Sequence, residues 1–166
     1  VEPEGAQCMK EALKFGKPVE LSKVSTIADG TAVKLAGQRT FELLNGVIDE
    51  IVTVSDYELM DAFLVLVEKH KLIAETSGIL TLAGLQKIKE KGKKVVSIVS
   101  GGNIDVLTIS SMITKGLVSR GRIFSFSVDL TDKPGELVKV SEILSTQNAN
   151  VIKLNHNQFK NLDRFT

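Results

Sequence analysis

Val95-Val96-Ser97-Ile98-Val99-Ser100-Gly101-Gly102-Asn103-Ile104-Asp105 carries the signals that decide the fold class of this chain. Its first five residues are β-branched or small and predict a short buried strand. Two glycines then allow a tight turn in which backbone can come close to a ligand. Asn103 is a candidate cap for a helix expected from Ile104 to Lys115. Strand, glycine turn and helix start together make an α/β crossover, with Ser100 at the strand's C-terminal end, where open α/β sheets keep their ligands. An ordinary tight β–α turn has the same local pattern, so this stretch alone leaves both readings open.

The remaining chain bounds what such a turn can serve. Its 166 residues suffice for one domain and a small part of a second. Lys plus Arg number 21 against 20 Asp plus Glu, a balance that offers no field to gather nucleic acid or acidic lipid. The basic run from Lys87 to Lys94 reads as a solvated helix end. One cysteine, Cys8, rules out an internal disulfide and fits a reducing, cytoplasmic setting. No signal-peptide pattern and no apolar run of membrane-spanning length is present. His70 and His156 each lack a second ligand at metal-binding spacing, so no metal site is expected.

Upstream of the central stretch, Ala6 to Phe15 has helical apolar spacing and a stop at Gly16. A short helix is expected from Thr40 to Val47 and a strand from Glu50 to Val54. Ser55 with Glu58 forms a capping box, opening a helix with Leu59, Phe63, Leu66 and Val67 on one stripe. A further helix is expected from Ile79 to Lys89. Downstream, Lys115 to Arg122 reads as a glycine-bearing joint between domains. Phe124, Phe126, Val128 and Leu130 alternate with polar residues, the pattern of a half-buried strand. Glu136 to Thr146 reads as a helix and Val151 to Leu154 as a second strand, giving a βαβ unit.

Three motifs occur in order: Thr26-Ile27-Ala28-Asp29-Gly30, Ala74-Glu75-Thr76-Ser77-Gly78 and Ser100-Gly101-Gly102-Asn103-Ile104-Asp105. In order and spacing they resemble the C-terminal part of the threonine ammonia-lyases (threonine dehydratases), pyridoxal-phosphate enzymes of fold type II. Asp132-Lys133-Pro134-Gly135-Glu136-Leu137, followed by Ala149-Asn150-Val151, resembles the first βαβ of an ACT domain, a small amino-acid-sensing module. The resemblance implies a three-layer αβα catalytic portion over 1–116, a linker at 117–121 and the ferredoxin-like start of an ACT domain over 122–166.

Carried over position by position, it implies that Ser100 meets the pyridine nitrogen of pyridoxal 5'-phosphate. Gly30, Gly101 and Glu75 would lie near the cofactor, although a helix-capping role suits the Glu75 carboxylate equally. Gly135 and Asn150 would meet an amino-acid effector. The Schiff-base lysine motif and the phosphate-binding glycines have no match here, so the expectation is a C-terminal portion of a larger enzyme, inactive alone. Cys8 stands where metal-binding relatives have aspartate, near Glu2 and Ala6, and a thiol suits a hard cation poorly. The implied parent uses L-threonine or L-serine, is regulated by an amino acid and forms a homo-oligomer. Serine racemase or serine dehydratase, which share the Ser-Gly-Gly-Asn motif, and a non-catalytic amino-acid sensor are the alternatives.

Overall fold

The computed structural model describes residues 1–89 and 92–157, and the chain divides into two compact units, Val1–Phe124 and Ser125–Thr166. In the first unit, β1 (Glu2–Pro3) pairs in parallel with β2 (Thr53–Val54). Helix α1 (Cys8–Phe15) follows β1, and α2 (Gln38–Leu44) packs on it. Helix α3 (Asp56–Val65) runs directly out of β2 and continues through one wider turn to His70. Then come α4 (Leu80–Gly84) and α5 (Val106–Ser119).

Local chemistry explains the clearest boundaries. Both carboxylate oxygens of Glu2 accept backbone N–H bonds from the first turn of α1, from Met9 and Lys10, each at 2.9 Å. At the other end Gly16 adopts φ +70°, a left-handed cap that a side chain would resist. The capping box of α3 forms as expected: the Ser55 hydroxyl accepts from the Glu58 N–H, and Glu58 accepts from the Ser55 N–H at 2.8 Å.

The core sits on α3. Leu59, Phe63 and Leu66 are buried against Ala28, Val54, Ile79, Leu80, Ala83 and Met112. Burying a side chain such as Phe63 stabilises the fold by about 1.5–3 kcal/mol. Gly116 faces α3, where a Cβ would make only ordinary contact, 3.4 Å from Leu64 Cδ2. At the end of α5, Arg120 Nε donates to Asp61 at 2.6 Å and Nη1 to Glu68 at 3.2 Å, while Arg122 also pairs with Glu68.

Several sequence expectations change. Residues 95–99 do not form a strand, because among the described residues no strand lies beside them to complete a ladder; Val96 is 90% exposed. Asn103 is not the helix cap. Asp105 is, its carboxylate accepting from the Thr108 N–H at 2.9 Å, and the helix starts at Val106. The Lys115–Arg122 joint is helical as far as Ser119, with Gly116 buried against α3. Helix α2 starts two residues earlier than expected and ends at Leu44, leaving Val47 exposed. The Ile79–Lys89 helix is the short α4 flanked by tighter turns at Ser77–Ile79 and Leu85–Lys87.

In the second unit only the helix of the expected βαβ forms among the described residues: α6 (Glu136–Thr146), with Lys139 paired to Glu136 at 2.6 Å. The alternating segment 124–130 and the segment 151–154 form no strand with other described residues, and Phe124 is 84% exposed. Period-2 alternation marks a face that a sheet could bury, but pairing needs a neighbouring strand.

The ion pairs on α3 give a pH-dependent contribution. The Arg120 guanidinium holds the Asp61 carboxyl below its usual range, against the opposing effect of burial. A carboxyl depressed in the folded state contributes fully above its unfolded value of about 4, and the contribution is lost as pH falls through the folded value. Thermal unfolding followed by circular dichroism between about pH 5 and pH 2 is expected to show a smaller acid loss in Asp61→Asn than in the parent chain. The difference should stay under about 1 kcal/mol, as for partly exposed pairs.

Candidate functional site

The three motifs meet around the short segment Ala74–Gly78. Thr76, 4% exposed, donates its hydroxyl to the Ile27 carbonyl at 2.8 Å, tying the second motif to the first. The first motif is in turn fixed to the start of α3: Thr26 Oγ1 donates to Asp56 at 2.6 Å, and the Ile27 N–H donates to both oxygens of the same carboxylate at 3.2 Å. The third motif joins through backbone: the Glu75 N–H donates to the Gly101 carbonyl and the Ser100 N–H to the Gly78 carbonyl, both at 3.2 Å. A fourth bond runs from the Asn103 N–H to Glu75 Oε2 at 3.2 Å.

Glycine makes these approaches possible. A Cβ at Gly78 would run into the Ser100 carbonyl, and one at Gly101, whose φ is +73°, would run into the Glu75 side chain. A Cβ at Gly30 would lie 2.8 Å from Ser77 Oγ and 3.8 Å from Glu75 Oε1. Gly30, Glu75, Ser100 and Gly101 are therefore gathered in one place, with Ser100 exposed on its wall. One Glu75 oxygen accepts the Asn103 N–H, which lies ahead of α5 and so is not a helix cap, and the other faces Gly30 and Gly101. Gly135 and Asn150 belong to the second unit and lie at opposite ends of α6, Gly135 as its N-terminal cap with φ +91°.

One residue of this cleft escaped the sequence reading. Ser77 Oγ is the buried side-chain polar atom that, among the described residues, has no hydrogen-bond partner. Its position inside the second motif was the sole signal, and a serine there reads equally well as a turn residue. Near β1, Cys8 Sγ lies 3.9 Å from Glu2 Oε1. Burial first, and then the Glu2 charge, pushes the thiol's pKa up. Both oxygens of Glu2 hold the start of α1.

Residues 1–101 match the family described as pyridoxal-phosphate dependent enzymes. The chain belongs to this family. It is 40% identical over 159 residues to an L-threonine ammonia-lyase of Thermotoga maritima and 36% identical over 160 residues to one of Geobacter sulfurreducens. Each match covers 95% of this chain and 40% of the relative, so the chain spans about two fifths of the length of the curated relatives it matches. The processed form of threonine deaminase isoform 2 from Solanum lycopersicum superposes with a TM-score of 0.62 at 34% identity, covering 68% of this chain and 34% of that one. Maize serine racemase gives 0.58 at 30% identity, over 69% of this chain and 38% of that one.

The large-domain fold of the fold-type II pyridoxal-phosphate enzymes is thus the fold of the matched portion, and the resemblance carried by the three motifs holds. The expected cofactor is the one for which the family is named. The residues present fit it: the Ser77 hydroxyl, packed against Gly30 beside the motif of Ser100, is buried and has no hydrogen-bond partner among the described residues. Among the described residues no helix is long and apolar enough to cross a membrane.

The close approach of the motifs can be tested directly. Gly78→Ala should destabilise the protein by about 1–3 kcal/mol or more, because the Ser100 carbonyl must move. Gly102→Ala, where nothing lies within 4 Å, should be near neutral. Calorimetric melting of both variants checks the contrast.

Proposed function

We propose that this chain forms part of a pyridoxal-phosphate dependent threonine ammonia-lyase, which converts L-threonine to 2-oxobutanoate and ammonia. The observation that carries the reading is the gathering of Gly30, Glu75, Ser100 and Gly101 on one cleft in a chain 40% identical to a relative so named. When bound, pyridoxal phosphate supplies an electron sink conjugated with the substrate's α-carbon.

In this reading the Ser100 hydroxyl bonds the ring nitrogen. A hydroxyl leaves that nitrogen largely unprotonated, whereas a carboxylate would hold a proton on it. The weaker sink favours loss of a β-hydroxyl over transamination. Gly30 and Gly101 would let the motifs close up beside the ring, and the Glu75 oxygen that faces them would orient its polar edge. No lysine of this chain is assigned to the covalent attachment of the cofactor, and none of its glycines to the phosphate end. L-Serine is the second substrate of the proposal. The similarity to maize serine racemase makes serine racemisation the competing reaction.

The second unit is proposed as the start of an ACT-type regulator, supported by the turn before α6 and its left-handed Gly135. An amino-acid effector would then bind between copies in a cytoplasmic homo-oligomer, near Gly135 of one and Asn150 of another.

The test uses the protein purified from its own cells and loaded with pyridoxal phosphate. It should release 2-oxobutanoate from L-threonine, and Ser100→Asp should slow that release about ten-fold or more while shifting the visible absorbance of the bound cofactor. Absence of threonine deamination, or an unchanged rate in Ser100→Asp, would defeat the proposal.

A further inference from the structure

The cleft contains a polar group that the fold leaves unused. Ser77 Oγ is shut off from water and lacks a hydrogen-bond partner among the described residues. Native structures rarely leave a buried hydroxyl unpaired, since its lost hydration is then not offset by a bond within the protein. Its immediate neighbours sharpen the point. Thr76, one residue before, is fully engaged with the Ile27 carbonyl, so the segment is ordered well enough to satisfy a buried hydroxyl where stability requires it. Gly78, one residue after, lies directly on the Ser100 backbone. Gly30 packs directly against it, since a Cβ there would stand only 2.8 Å from Ser77 Oγ, so the hydroxyl lies at the contact between the first and second motifs.

We infer that Ser77 is a second hydroxyl contact for the cofactor, at the same ring-nitrogen end of the cleft as Ser100. The inference rests on the reading of the cleft as a pyridoxal-phosphate site and adds a residue to it. A serine hydroxyl can donate one hydrogen bond and accept two, and it moves between three staggered positions about χ1. Because Ser77 holds no bond in the free protein, turning toward a ligand breaks none. The unpaired hydroxyl therefore weakens the ligand-free fold and strengthens the loaded one, the trade expected where a binding site overrides local stability.

That trade separates a ligand contact from a structural residue. In the full-length protein, Ser77→Ala should leave the ligand-free melting temperature unchanged or raise it, because the orphan group is gone. Its dissociation constant for pyridoxal phosphate, followed by the absorbance of the bound cofactor, should rise about three- to ten-fold, the effect of one hydrogen bond. With an analogue in which carbon replaces the ring nitrogen, parent and variant should bind alike.

Equal affinity of parent and Ser77→Ala for pyridoxal phosphate would overturn the inference while leaving the cofactor reading intact. So would a lowered ligand-free melting temperature, which would make the residue structural, or an equal penalty with the carbon analogue, which would put its contact elsewhere on the ring. Failure of the parent protein to bind pyridoxal phosphate would overturn both.

Discussion

The cleft depends on a close approach of two backbone segments that side chains would forbid. Residues 75–78 and 100–103 lie within hydrogen-bonding distance because Gly78 and Gly101 have no Cβ. A substituent at Gly78 would meet the Ser100 carbonyl, which as backbone cannot yield at low cost, while one at Gly101 would meet the end of the Glu75 side chain in a backbone already at φ +73°. Through those bonds Ser100 is held beside Glu75, and through Thr76 the same segment holds the loop that ends at Gly30. Three motifs spread over some eighty residues thereby become one wall.

That wall is built from loops, and rigidity comes from what stands behind it. Asp56 at the first turn of α3 accepts three hydrogen bonds from Thr26 and Ile27, so the helix that forms the core also anchors the first motif. Leu59 and Phe63 of that helix are fully buried against Ala28, within the first motif, and Ile79, next to the second. Packing and site are thus two faces of one arrangement. A loop carried on a well-packed helix can hold polar groups in place without their having to pair with one another, and Ser77 is the extreme case.

How much of this could be read from the sequence follows from the range of the interactions. The Ser55–Glu58 capping box, the Gly16 stop and the Leu59–Phe63–Leu66 stripe depend on residues within a turn or two, and the structure contains all three. The segments 95–99, 124–130 and 151–154 have the composition of strands, but a strand exists only beside another strand, and sequence pattern says nothing of the neighbour. The choice of Asp105 over Asn103 as cap was within reach: both side chains can accept the bond, but Asp105 stands three residues before Thr108, whose N–H it takes. At the site, Gly30, Glu75 and Ser100 were legible as ordered motifs. The orphan state of Ser77 was not, because lacking a partner is a property of three-dimensional packing.

In the proposed function the three motifs form the wall against which the pyridine ring of pyridoxal phosphate lies. A crystal structure of the full-length protein loaded with the cofactor tests it most directly. The account predicts the ring nitrogen within about 3 Å of Ser100 Oγ, with the ring lying over Gly30. A ring bound elsewhere, or a ring nitrogen facing away from Ser100, would contradict it.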